Sequence, residues 1–74
     1  MLLKYVSLDT QISILEIAED VPPAQQGLVL RAAERAAKAH IHISQRVANV
    51  AAEKAAKNEV KALKKEAKRM ADNA

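Results

Sequence analysis

The sequence contains no cysteine, which excludes disulfide bridges and thiolate metal sites. With 74 residues, the chain forms one domain at most, and apolar burial has to stabilise it. A chain this short buries only about 60% of its unfolded surface, so a single copy would have marginal stability. The lack of cysteine also fits a reducing compartment, and we expect a cytoplasmic location.

Aromatic residues, glycine and long apolar runs are also scarce. Tyr5 is the sole aromatic residue and Gly27 the sole glycine, which predicts an aliphatic core and excludes a glycine-rich phosphate loop. The opening stretch "MLLKYVSL" is too short for a signal sequence or a membrane span. The apolar segment that follows carries Glu16, Glu19 and Asp20, so we expect no membrane insertion.

Residue patterns for catalysis are missing as well. His40 and His42 would point about 200° apart on a helix, so they could not share a metal ion. His40 is expected to be a packed imidazole that bonds a main-chain carbonyl or a group across an interface. The acids near Glu16 are expected to form a solvent face. We therefore predict no enzyme, no cofactor, no metal and no small-molecule substrate.

The pattern of apolar residues predicts an all-α fold. A first helix is expected over about residues 8–20, with Ser7 as its N-cap and Pro22 ending it. Its apolar positions cover about half of the circumference, so it should touch more than one neighbour. Pro23 suits the first turn of a second, antiparallel helix. Gly27 suggests close approach of another backbone.

The second helix is expected to run over about residues 24–71. One series of positions keeps a 4-3 spacing typical of a coiled-coil seam, which favours a continuous helix. A break near residues 40–44 is the alternative, since Ile41 and Ile43 are weaker helix formers and Ser44 could cap a third helix. The predicted oligomer seam comprises Val29, Ala33, Ala36, His40, Ile43, Val47 and Val50.

The length of this seam predicts self-association. From Val29 to Val50 it spans about 32 Å, whereas the first helix is about 20 Å long and cannot cover it. The N-terminal segment or a second copy would cover the remainder, and we expect a homo-oligomer, most simply a two-fold dimer.

Charged residues and large aliphatic residues are unevenly distributed along the chain. Residues 1–37 carry three basic and five acidic residues, a net charge of −2, and residues 38–74 carry nine and four, a net charge of +5. After residue 50 the only large aliphatic residues are Val60, Leu63 and Met70. We therefore expect the hydrophobic core within the first fifty residues, an oligomerising helical hairpin over 1–51, and a basic amphipathic helical tail over 52–74.

The tail combines a run of basic residues with a thin apolar edge. Four like-charged i,i+4 pairs, such as Lys57–Lys61, disfavour an isolated helix and suggest an acidic surface opposite. The predicted partner-binding residues are Lys54, Lys57, Lys61, Lys64, Lys65, Lys68, Arg69, Val60, Leu63 and Met70. These features predict a noncatalytic interaction or regulatory protein that docks on an acidic protein surface.

Nucleic-acid association is the alternative function. Lysines contact phosphates without reading sequence. The residues of the basic half that could add specificity are few: Arg46 and Arg69, with Asn49 and Asn58 as possible base readers. No aromatic residue there could stack on single-stranded bases. Any nucleic-acid binding would therefore be nonspecific or augmented by a partner.

Overall fold

Three α-helices pack in an up-down-up bundle in the computed structural model, which describes residues 3–72 together with the backbone of Asn73. The helices are α1 (Leu8–Ala18), α2 (Pro23–His40) and α3 (Gln45–Asn73). The all-α prediction is confirmed, and the predicted tail extends to Ala74, which lies outside the described residues. Contacts of Ser7 with Asn49 and of Asp20 with Lys64 show that α1 runs parallel to α3.

The two ends of helix α1 lie close to the positions that the sequence predicts. Ser7 is the N-cap residue as predicted, but its side chain makes no capping bond to the helix backbone. The helix ends at Ala18, two residues earlier than expected, where the N–H groups of Asp20 and Val21 donate to carbonyl oxygens three residues back, at 3.2 Å. Such tight turns satisfy carbonyl groups at the end of the helix, and Pro22 prevents its continuation.

Pro23 is the first residue of α2, the position that the sequence predicts for it. A proline is tolerated there because its missing N–H would have no partner within the helix. The close backbone approach suggested by Gly27 is not observed. A Cβ added at Gly27 would have no atom within 4 Å, so this position is open.

The continuous helix over residues 24–71 is not formed, and the alternative break is found. Helix α2 ends at His40, the N–H of Ile43 donates to the His40 carbonyl at 2.9 Å, and α3 starts at Gln45. Ser44 Oγ accepts the N–H of Val47 at 3.1 Å and so acts as the predicted N-cap. The break lets α3 fold back along α2, and one face of α3, from Ala48 to Leu63, becomes buried.

The core is aliphatic and contains many alanines. Its members are the buried residues Leu3, Val6, Ile14, Ala18, Val21, Val29, Ala33, Ala37, Ala48, Ala52, Ala56, Val60 and Leu63. The expectation of a core within the first fifty residues is therefore wrong. Helix α3 is continuous across residues 51 and 52, and its buried face extends to Leu63. Alanines bury little area each, but their small size permits close contact of α2 and α3.

The N-terminal segment is held against α1 by one glutamine. The Gln11 side chain accepts the N–H of Leu3 at 3.2 Å and donates to the carbonyl of Val6 at 3.3 Å. Both apolar residues are buried. This segment forms turns and covers part of the core.

Candidate partner-binding surface

One face of α3 points to solvent along its length and carries most of the positive charge. The lysine stripe, defined as Lys54, Lys57, Lys61, Lys64 and Lys68, consists entirely of exposed residues. At about 100° per residue, these positions lie on the side of the helix opposite Ala48, Ala52 and Ala56. The stripe is about 21 Å long, and burial of the opposite face holds it outward.

A shallow groove separates the lysine stripe from α1. Its volume is about 350 Å³, and it is lined by Ile17, Asp20, Lys57, Val60, Lys61 and Lys64. Lys64 Nζ lies 3.5 Å from a carboxylate oxygen of Asp20, and this is the only salt bridge within residues 3–72. Both side chains are exposed, so water weakens the attraction and the pair contributes little to stability.

The C-terminal end of α3 is free of the core. Leu63 is the last buried residue, and every side chain from Lys64 to Asp72 is exposed. This segment, called the C-terminal end below, contains four basic and two acidic residues and has a net charge of +2. Lys65, Lys68 and Arg69 of the predicted partner surface lie on it, together with Met70, which is 67% exposed.

Two of the predicted partner-binding residues lie inside the bundle. Val60 and Leu63 are only 6% and 8% exposed because they pack in the core. A partner therefore has little access to them in this fold. The apolar residues predicted for the tail, Val60, Leu63 and Met70, do lie on one face of the helix. However, Val60 and Leu63 pack against the protein's own core, and of these three only Met70 is exposed.

The predicted oligomer seam is divided among different environments. Val29 and Ala33 are buried in the core, Ala36 and His40 are half-buried, and Ile43, Val47 and Val50 are exposed. The ring Nδ1 of His40 lies 2.9 Å from the carbonyl oxygen of Ala36, as expected for a packed imidazole. Because the chain turns between α2 and α3, these seven positions do not form one surface.

The structure also assigns a role to Asn49 that the sequence did not reveal. Asn49 Oδ1 accepts the N–H of Ser7 at 3.1 Å, and Asn49 Nδ2 donates to Ser7 Oγ at 3.0 Å. Gln45 Nε2 donates to Asn49 Oδ1 at 3.0 Å. Asn49 therefore joins α1 to α3 and is not free to read bases, while Asn58 is exposed.

A second exposed surface was missed as a site by sequence reasoning. Leu8, Ile12 and Leu15 lie along the outer side of α1 and are 66%, 49% and 44% exposed. The broad apolar circumference of this helix was the signal, since the N-terminal segment, α2 and α3 cover only part of it. We call these three residues the outer stripe of α1.

Within residues 3–72, no three His, Asp or Glu side chains come together in an arrangement that could hold a metal ion. None of the described helices has the length and apolar character needed to cross a membrane.

Comparisons of the chain with protein-family models, curated proteins and solved structures give no match.

Proposed function

We propose that the protein is a noncatalytic helical interaction or regulatory protein, and that the C-terminal end of α3 docks on an acidic surface of another protein. The exposure of every side chain from Lys64 to Asp72 carries the proposal. A helix end whose side chains are exposed can enter a groove, which a helix face embedded in a bundle cannot do. Its excess of basic residues favours an acidic groove.

An apolar anchor accompanies this charge. Met70 and Ala67 continue the 3-4 spacing of Val60 and Leu63 beyond the end of the core, and both are exposed. Recognition of an amphipathic helix in a groove uses apolar side chains at such spacing. Methionine suits this role because its flexible side chain adapts to irregular apolar surfaces. The basic residues would orient the helix, and Met70 would contribute apolar burial.

Binding to a nucleic-acid backbone is the second candidate, and the lysine stripe supports it. All five lysines point to solvent, and one of them has an acidic partner within residues 3–72. Lysines along one line can contact phosphates, with an affinity that falls steeply as salt increases. Such contacts would not use Met70, because a phosphate backbone has no apolar groove.

A pair of substitutions on the C-terminal end separates the two candidates. We expect Met70→Gln to weaken binding to an acidic helical peptide that contains leucines, because apolar contact is lost, and to leave binding to random-sequence duplex DNA unchanged. Joint replacement Lys68→Glu and Arg69→Glu should abolish peptide binding. Fluorescence anisotropy over a salt series measures both affinities.

The exposed Lys38 on α2 provides the matched control, since Lys38→Glu changes the net charge without touching the C-terminal end. It should preserve most of the affinity for the peptide. The docking proposal fails if Met70→Gln binds the peptide as well as the unmodified chain does. A steep salt dependence for DNA, reduced by replacing Lys57 and Lys61, would then favour the second candidate.

A further inference from the structure

Two arginines and a lysine follow one another on the exposed side of α2. Arg31, Arg35 and Lys38 are spaced at i, i+4 and i+7, so they lie on one line of the helix. Like charges at such spacing disfavour a helix by a few tenths of a kcal/mol per pair. None of the three has a carboxylate oxygen within 4.0 Å in residues 3–72. Their positive charge is therefore directed to solvent.

A shallow cavity places the two arginines beside α3. Its volume is about 190 Å³, and it is lined by Leu28, Arg31, Ala32, Arg35 and Glu59. Glu59 comes from α3 and is half-buried, and it forms no ion pair with either arginine. The arginines thus border the line along which α2 and α3 meet.

Helix α3 contributes a second polar row across this line. Lys54 and Asn58 are exposed, and at about 100° per residue they point about 140–180° away from Asn49. Because the Asn49 side chain binds Ser7 at the start of α1, the two residues face away from α1. Ala51 and Ala55, both half-buried, lie further round the helix towards α2. Arg31, Arg35, Lys54 and Asn58, with these small residues between them, are called the α2–α3 face below.

The acidic residues of the N-terminal half lie on the other side of the bundle. Residues 8–20 contain Asp9, Glu16, Glu19 and Asp20 and no lysine or arginine, a net charge of −4. Asp20 also lines the groove between α1 and the lysine stripe. Because charges interact over about 8 Å at physiological ionic strength, a polyanion on the stripe is repelled from the α1 side and attracted towards α2.

We propose that the α2–α3 face binds the sugar–phosphate backbone of a nucleic acid, with Arg31 and Arg35 on one side of the backbone and Lys54 on the other. A planar guanidinium group can donate two parallel hydrogen bonds to one phosphate. The amide of Asn58 can donate to a further phosphate oxygen. The small alanine side chains let the backbone approach closely, and contacts of this kind do not depend on base sequence.

This inference rests on the second candidate of the proposed function and extends its surface from α3 to α2. Lys54 belongs both to the lysine stripe and to the α2–α3 face, so one backbone can follow both. An acidic protein would fit this face less well, because protein interfaces depend on large anchoring side chains. Leu28, at one end of the cavity, is the only large aliphatic residue that lines it.

The salt dependence of DNA binding tests the role of the arginines. Each phosphate contact contributes about 0.9 to the slope of log affinity against log salt concentration. Joint replacement Arg31→Gln and Arg35→Gln should therefore reduce the slope by about 2 for random-sequence duplex DNA. Fluorescence anisotropy between about 50 and 200 mM salt measures it.

The matched control removes the same charge elsewhere. Lys4→Gln with Arg46→Gln replaces two exposed basic residues outside the α2–α3 face and should leave the slope nearly unchanged. Arg31→Lys with Arg35→Lys keeps the charge and should retain the slope. Glutamine and arginine have similar helix propensities, so circular dichroism should show equal helix content for all variants.

Equal slopes for the two glutamine pairs would overturn the inference. If replacing Lys57 and Lys61 lowers the slope and the arginine pair does not, the second candidate stands while the inference fails. If the unmodified chain does not bind DNA at low salt, both fail. Weaker binding of the acidic peptide by the arginine pair, with an unchanged DNA slope, would show that this face contacts protein and would also overturn the inference.

Discussion

Ser7 and Asn49 exchange two hydrogen bonds across 42 positions of sequence, at 3.1 and 3.0 Å, and so join the start of α1 to the first turns of α3. Asn49 Oδ1 accepts the N–H of Ser7, and Asn49 Nδ2 donates to Ser7 Oγ. The Ser7 hydroxyl in turn donates to Thr10 Oγ1 at 3.3 Å. The contact sets α1 parallel to α3 and fixes their relative level.

Replacement of Asn49 should therefore destabilise the bundle. We expect Asn49→Ala to lower the free energy of unfolding by about 1–2 kcal/mol, since both bonds to Ser7 and the bond from Gln45 are lost. The melting temperature should fall by about 4–8 °C for each kcal/mol. Asn58→Ala is the control on the same helix, because it makes the same change in helix propensity at an exposed position. Equal melting temperatures of the two variants would contradict the role of Asn49.

The hydroxyl of Ser44 should contribute to the start of α3. Ser44→Ala removes the acceptor for the Val47 N–H, and we expect a loss of about 0.5–2 kcal/mol in a denaturant titration. Ser44→Asp keeps an oxygen acceptor and should retain most of the stability. If both substitutions have the same effect, Ser44 does not act through this bond.

Substitution of Gly27 should stabilise the protein. Gly27 lies inside α2, is exposed, and leaves room for a Cβ. Gly27→Ala should therefore raise the free energy of unfolding by about 0.5–1 kcal/mol through helix propensity. The reverse change at an exposed site of α3, Ala62→Gly, should lower it by a similar amount. A loss of stability for Gly27→Ala would mean that another chain approaches α2 there.

The alanines between α3 and its neighbours should not tolerate enlargement. Ala52 is fully buried, so Ala52→Leu should cost about 1–3 kcal/mol because the helices would have to separate. Ala62→Leu introduces the same side chain at an exposed position of the same helix and should be nearly neutral. Thermal unfolding followed by circular dichroism compares them, and equal stabilities would contradict close packing at Ala52.

Much of the local structure could be predicted from residue spacing and from capping residues. Pro22 and Pro23 mark the junction of α1 and α2, and Ser44 was identified as a possible cap because it precedes a helical pattern. The turn itself was harder to predict, because it contains neither glycine nor proline and the described residues include no positive φ angle. Its four residues also preserve the phase of the apolar pattern, which made one long helix the favoured interpretation.

Among the predicted partner-binding residues, the lysines are exposed, whereas Val60 and Leu63 are buried. The exposure of the lysine stripe follows from its spacing, because an aliphatic core cannot accommodate five unpaired ammonium groups. The same spacing could not show whether Val60 and Leu63 face a partner or the protein's own core. Both outcomes bury an apolar edge and therefore leave the same pattern in the sequence.

By itself, the sequence determined the helical class, the aliphatic composition of the core and the concentration of positive charge in α3. These properties depend on residue type and on contacts within a few positions. Only the tertiary structure decided that α3 folds back on α2, that Asn49 binds Ser7, and that Leu8, Ile12 and Leu15 remain exposed while Val60 and Leu63 do not. Such outcomes depend on which helix faces meet, and residues far apart in the chain compete for the same buried area.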